Sequence, residues 1–112
     1  MTGVIEKLRK RRCYPVEIGD ATVHLRGLLY SEHETAEDFG SEAESWGYAI
    51  GCCLIRDDGS EWFTRNTDEP AKDFGARVLR ELDLPDDTRA ELIAAIVKLS
   101  QGPPKIETLA KN

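Results

Sequence analysis

The side chains that could bind a metal ion or act as nucleophiles are three cysteines and two histidines, at Cys13, His24, His33, Cys52 and Cys53. A structural zinc site usually draws on ligand pairs two to four residues apart, whereas Cys52 and Cys53 are neighbours whose side chains would point to opposite faces of a strand. An odd number of cysteines, two of them adjacent, also argues against disulfide bonds. We therefore expect no metal and no other cofactor. Cys52 and Cys53 are predicted to be reduced thiols that act as small apolar side chains in a buried strand.

Carboxylates are numerous, but no group of residues has the spacing of a known active site. The sequence contains no Gly-rich phosphate loop, no Gly-x-Ser-x-Gly nucleophile elbow and no His-Glu-x-x-His helix. The acidic side chains fall on predicted polar helix faces and turns, where charge is usually solvated. We predict that the protein is not an enzyme and has no catalytic residues.

The formal net charge is −6, and the charges are distributed unevenly along the chain. A basic cluster near the N-terminus consists of Lys7, Arg9, Lys10, Arg11 and Arg12, and an acidic run follows at Glu32, Glu34, Glu37, Asp38, Glu42 and Glu44. An acidic molecule repels nucleic acid and anionic membrane surfaces. The basic cluster also lacks the interleaved aromatic residues that stack on bases. We therefore expect a protein partner. The alternative is a small nucleic-acid-associated regulatory protein that uses the basic N-terminal arm.

The length of 112 residues suits one domain with a modest core. The sequence has neither a stretch of about 20 apolar residues nor an apolar segment behind the N-terminal charges, so we expect no membrane partner and a cytoplasmic location. Three parts are predicted: a basic N-terminal helix or arm at residues 1–12, a single α+β domain at residues 13–102 and a flexible C-terminal tail at residues 103–112.

The clearest local signal is a pair of alternating runs on either side of Gly19-Asp20. This pattern predicts a β-hairpin over residues 14–26. The predicted pairing places Tyr14 opposite Leu25, Val16 opposite Val23 and Ile18 opposite Ala21. Because Pro15 has no N–H to donate, the first strand is predicted to lie at an edge of the sheet.

A second hairpin is predicted from the apolar stretch Tyr48–Ile55 and the turn signal at Asp58-Gly59. The absence of periodicity leaves open a helix that ends at Arg56. Glycines at positions 47 and 51 lower helix propensity, which favours the strand.

Three further segments have the pattern of helices. The first, about Glu32–Ser45, begins with a capping box at Ser31 and Glu34 and is weakened at Gly40. The second runs from about residue 71 to 82 after an N-cap at Thr67 or Asp68, and the third from 86 to about 100, where Gly102 and Pro103-Pro104 stop it. The last two helices are predicted to pack as an antiparallel pair. The predicted fold is α+β, a small antiparallel sheet from two β-hairpins packed with three to four α-helices.

The order of these features resembles the tail assembly chaperones of siphophage-type bacteriophages. In many members of that family a hairpin ending in a valine-x-leucine/valine-arginine-x-leucine phrase leads into a Glu-rich helix, and here the phrase is Val23-His-Leu-Arg-Gly-Leu28, followed by Ser31-Glu-His-Glu34. The family continues with an apolar run, an aspartate-x-aspartate-glycine turn before a phenylalanine, and two helices. This chain has Arg56-Asp-Asp-Gly59 and Trp62-Phe63 at that place.

The resemblance implies a protein of phage or prophage origin that acts as a chaperone in virion assembly, in the cytoplasm of the host cell. It would bind the tape-measure protein and help recruit tail-tube protein during tail morphogenesis; a homo-oligomer is left open. Aromatic residues dominate such contacts, so the candidate protein-binding residues are Trp46, Trp62 and Phe63. Core positions for all three remain the alternative.

Overall fold

The computed structural model describes residues 2–39 and 42–100. Within these residues the elements in chain order are α1 Thr2–Arg9, β1 Tyr14–Ile18, β2 Ala21–Leu25, α2 Tyr30–Glu37, α3 Glu42–Cys53, β3 Leu54–Ile55, α4 Ala71–Leu82 and α5 Asp86–Ser100. The predicted α+β class is confirmed. The predicted tail at residues 103–112, with the helix stop at Gly102 and Pro103, lies outside the described residues.

The first hairpin has the predicted register. Tyr14 pairs with Leu25, Val16 with Val23 and Ile18 with Ala21. At the turn, Gly19 has a φ of +59°, a conformation that glycine adopts without a Cβ clash. The antiparallel sheet has the order β1-β2-β3, so β1 lies at an edge, as Pro15 predicted.

The predicted strand at Tyr48–Ile55 is wrong for most of its length. Residues 48–53 belong to α3, and β3 contains only Leu54 and Ile55, which pair with β2. The predicted turn is present, because the Arg56 N–H donates to the Ser60 carbonyl at 2.8 Å and Gly59 has a φ of +90°. The second hairpin is therefore reduced to this turn and a single bridge between Ile55 and Glu61.

Glycines explain why a helix forms where the sequence favoured a strand. A Cβ on Gly47 would collide with the backbone carbonyl of Gly75 in α4, and a Cβ on Gly75 would collide with the carbonyl of Glu44. A Cβ on Gly51 would lie 2.6 Å from the ring of Phe74. The spacing of four residues puts Gly47 and Gly51 on one face of α3, which lets the backbones of α3 and α4 approach closely. Packing against α4 therefore outweighs the low helix propensity of glycine.

Two details of the predicted first helix are also wrong. The helix begins at Tyr30, and the carboxylate of Glu32 accepts a hydrogen bond from the Leu29 N–H at 2.9 Å, so the Ser31 and Glu34 capping box does not form. A single helix over residues 32–45 is replaced by α2 and α3. The predicted weak point, Gly40, lies outside the described residues.

The bounds of α4 and α5 agree with prediction, but their packing and one cap do not. Pro70, rather than Thr67 or Asp68, occupies the N-cap position of α4. The two helices do not form an antiparallel pair, since α4 packs against α3, and α5 packs against α3 and β1. The most deeply buried side chains of the resulting core are Leu25, Ile50, Cys53, Val78 and Ile96.

Candidate functional site

Helices α2, α3 and α5 border an open groove with a volume of about 430 Å³. Its floor is apolar and buried, formed by Ala49 of α3 and Ile96 of α5. The walls include the half-buried side chains of Trp46 and Val97. The remaining lining residues are Leu28, His33, Ala36, Glu37 and Ser45. We call this feature the α2–α3–α5 groove.

The walls of the groove are fixed by contacts that do not involve a ligand. The Ser45 hydroxyl donates to the Ala36 carbonyl at 2.8 Å, which joins the end of α2 to the start of α3. The rings of Phe39 and Tyr48 pack with their centroids 5.4 Å apart. Trp46 is followed by Gly47, at which α3 makes its close contact with α4. The groove is thus already formed in the single chain.

The helices that form two sides of the groove carry negative charge. Residues 30–39 and 42–53 hold the whole acidic run and contain no lysine or arginine. At the edge of the groove, Nε2 of His33 lies 2.8 Å from Oε1 of Glu37. A cationic partner therefore suits this surface better than an anionic one.

The C-terminal end of α3 is held by two arginines. The carbonyl of Cys52 accepts hydrogen bonds from Nε of Arg26 at 2.9 Å and Nη1 of Arg11 at 3.4 Å. Arg26 also pairs with Glu61 at 2.9 Å, and Arg11 pairs with Glu32. Positive charge at this end of a helix is favourable, because the backbone carbonyls there have no partners within the helix. Arg11, predicted as part of a basic arm, is therefore a structural residue.

The two buried cysteines are unsuited to nucleophilic chemistry. Burial, with the nearby carboxylate of Glu32 as the next cause, raises the pKa of Cys52 to about 12. Burial, with the neighbouring Cys52 as the next cause, raises the pKa of Cys53 to about 12. Both side chains are thus protonated near neutral pH, whereas the thiolate is the reactive form. They are buried as predicted, but at the end of a helix rather than in a strand.

The three predicted protein-binding residues do not form one site. Trp46 lines the α2–α3–α5 groove. Trp62 is 53% exposed, lies 4.7 Å from the guanidinium of Arg56 and borders a second cavity of about 400 Å³ against β2 and β3. Phe63 is half-buried and packs against the core. Phe63 also lines a smaller cavity of about 160 Å³, so the three residues border three separate surface features.

The loop that carries Trp62 and Phe63 is held by Arg77 of α4. Its guanidinium donates to both carboxylate oxygens of Glu69, at 2.9 and 3.0 Å, and to the Thr64 carbonyl at 2.9 Å. The hydrogen bonds from Arg77 hold the pKa of Glu69 below its usual range. The exposed indole of Trp62 is consequently presented on an ordered loop.

Of the residues that line the groove, only Trp46 was predicted from the sequence as a binding residue. Ala49 lies in the segment predicted as a strand, and Leu28 and Ala36 carry no distinctive pattern. On α5 the structure buries Ile96 and leaves Val97 at the surface of the groove. The apolar residues of α5 cover more than one stripe of the helix, and this breadth is the signal that could have indicated a second contact surface.

The fold and the α2–α3–α5 groove together define an α+β protein with a preformed, mostly apolar groove on its surface. Comparison of the chain with protein-family models, curated proteins and solved structures finds no match. Every helix in the part of the chain that the structure describes is too short or too polar to cross a lipid bilayer. Those same residues contain no cluster of three or more side chains suited to holding a metal ion.

Proposed function

We propose that this protein binds a helical segment of another protein in the α2–α3–α5 groove, in the manner of a tail assembly chaperone that holds the tape-measure protein. The observation that carries the proposal is the groove itself. It has a buried floor of Ala49 and Ile96 and an aromatic wall residue, Trp46. Grooves between helices accept the apolar face of an amphipathic helix, with large side chains as anchors.

The charge of the groove defines the partner more closely. Because the acidic run lies on α2 and the start of α3, a bound helix with lysine or arginine beside its apolar face is favoured over an acidic one. Charge complementarity of this kind mainly raises the association rate, while the apolar contacts supply most of the affinity. A long helical protein that must be kept from aggregating offers many such segments.

The resemblance to tail assembly chaperones supports this function rather than a generic adaptor role. A chaperone of that class engages both the tape-measure protein and tail-tube subunits, which requires two contact surfaces. The exposed indole of Trp62, with Arg56 beside it, is a second surface that lies outside the groove. We assign the groove to the tape-measure protein and the Trp62 surface to the tail-tube protein, with assembly in the host cytoplasm.

Co-expression with the tape-measure protein of the same phage or prophage tests the proposal. Tagged wild-type protein should co-purify with it at low salt. Val97→Glu places a charge on the groove wall, and Trp46→Ala removes the anchor, so each should weaken binding by about 30-fold or more. Trp62→Ala is the matched control and should leave the tape-measure complex intact. Circular dichroism confirms that each variant is folded, and full binding by both groove variants would refute the assignment.

The nucleic-acid alternative rests on a different surface. Lys7, Arg9, Lys10 and Arg12 are exposed, and only Arg11 of the basic cluster is engaged by the fold. If the chain retards DNA in a salt-dependent way, and deletion of residues 1–12 abolishes the effect, the regulatory function is favoured instead.

A further inference from the structure

Helix α1 leaves its apolar side chains in water. Val4, Ile5 and Leu8 are 62%, 50% and 76% exposed. The first and last of them are four residues apart, so these residues share one side of the helix. Isolated helices shorter than about 12–15 residues are marginal in water, and α1 has only 8. This helix gains stability only if another surface covers its apolar side.

The α2–α3–α5 groove has the complementary properties in the same chain. It presents an apolar lining that includes Trp46 and Val97, beside helices that carry the acidic run. Residues 2–12 contain five basic side chains and one acidic side chain, Glu6. A basic amphipathic helix and an apolar groove bordered by acidic helices therefore occur in the same chain, and neither covers the other within one chain.

The position of Arg11 explains why α1 does not cover its own groove. The side chain of Arg11 is held by Glu32 at the start of α2 and by the Cys52 carbonyl at the end of α3. The groove is lined along α2 by residues 33 to 37 and along α3 by residues 45 to 49, so most of its lining lies away from this anchor. Helix α1 precedes the anchor in the chain and keeps its apolar side exposed.

We infer that α1 of a second copy of this chain docks into the α2–α3–α5 groove. Val4, Ile5 and Leu8 would cover the groove lining, and the neighbouring basic residues would face the acidic run. Because every copy carries both the helix and the groove, two copies can exchange their α1 helices reciprocally, which closes the assembly as a symmetric dimer. The docked helix and the tape-measure segment of the proposed function would occupy the same groove, so the dimer is the state of the chain before it meets that partner, and the partner displaces α1.

The experiment measures the mass of the full chain by analytical ultracentrifugation over a wide concentration range. Wild type is expected to be a dimer that weakens as salt is added. Leu8→Glu alters only α1 and Val97→Glu alters only the groove, and each should raise the dimer dissociation constant by about tenfold or more. Trp62→Ala, outside both surfaces, should dimerise like wild type.

Mixing the two weakened variants separates a lost contact from a damaged fold. Leu8→Glu retains an intact groove and Val97→Glu retains an intact α1, so the mixture should form a heterodimer more tightly than either variant pairs with itself. A wild-type chain that stays monomeric throughout, or a Leu8→Glu chain that dimerises like wild type, would overturn the inference. Neither result bears on the proposed function, because a monomer, or a dimer formed through another surface, still leaves the α2–α3–α5 groove available to the tape-measure protein.

Discussion

The point where α3 ends is fixed by residues distant in sequence. The backbone N–H of Arg26 donates to the Cys53 carbonyl at 2.9 Å, and its side chain donates to the Cys52 carbonyl at the same distance. The last carbonyls of a helix have no partner within it, so they need donors from elsewhere. The residue that follows β2 supplies two of these donors. As a result α3 passes directly into β3 beside β2, and the groove formed by α3 is tied to the sheet.

The buried thiols give the stability of the protein a predictable dependence on pH. In the unfolded chain each thiol has its ordinary pKa of 9.0, and in the folded chain the pKa of Cys52 and of Cys53 is about 12. Between these values the unfolded state binds fewer protons, so the free energy of unfolding falls as pH rises. Each thiol should contribute a slope of about 1.4 kcal/mol per pH unit. Urea unfolding at several pH values from 9 upward measures this slope.

Single cysteine variants identify the source of that slope. Cys53→Ala should reduce it by about 1.4 kcal/mol per pH unit, even though the substitution also lowers the stability at neutral pH. Cys13→Ala is the matched control, because Cys13 is exposed and its thiol meets water in both states. An identical slope in wild type and Cys53→Ala would show that the thiol is not held protonated by burial.

At the scale of elements, local sequence patterns predicted the first hairpin and the bounds of α4 and α5, but favoured the wrong structure for the second half of α3. The hairpin register followed from alternation around Gly19-Asp20, and the bounds of α4 and α5 followed from helical periodicity. Over the second half of α3 the strand was favoured and the helix that forms was only the alternative, because residues 47–53 are buried on all sides, which removes the periodic signal that distinguishes a surface helix from a strand.

The glycines in α3 were interpreted as weak helix formers, whereas their role is tertiary. Gly47 and Gly51 are four residues apart, which is the spacing of one helix face, but their partner Gly75 lies in another helix and no local rule connects them. The groove was hidden for the same reason. Its lining comes from three helices, and of these residues only Trp46 is of a type that suggests binding.

Gly75→Ala tests whether the close contact between α3 and α4 determines the fold. The added Cβ would collide with the Glu44 carbonyl, and backbone cannot move aside as a flexible side chain can. Overpacking of this kind costs about 1–3 kcal/mol, so the urea midpoint should fall strongly.

Gly27→Ala is the matched control, since its Cβ would meet nothing within 4 Å. It should be neutral or stabilising by up to about 1 kcal/mol. Equal midpoints for the two variants would mean that α3 and α4 can separate without cost.

At the scale of the whole molecule, the chain divides into a packed body and one helix outside it. The core joins the sheet to α3, α4 and α5 through side chains such as Leu25, Val78 and Ile96. Helix α1 is absent from that cluster and keeps its apolar side chains exposed. Arg11 is the point at which the N-terminal segment is fastened to the body. The fold of the chain therefore uses Arg11, whereas the proposed docking to a second copy uses α1.

Two truncations separate these parts. Removal of residues 1–9 deletes α1 but keeps Arg11, so the free energy of unfolding should stay within about 1 kcal/mol of the full chain, because exposed side chains contribute little burial. Removal of residues 1–12 also deletes Arg11, which leaves Glu32 and the Cys52 carbonyl without this donor. That loss should cost about 1 kcal/mol more.

Urea unfolding measures the free energy of unfolding of both truncated chains, at a protein concentration low enough for the full chain to be monomeric. If the shorter truncation destabilises the body as much as the longer one, α1 contributes to the fold of its own chain, and the division between body and docking helix is wrong.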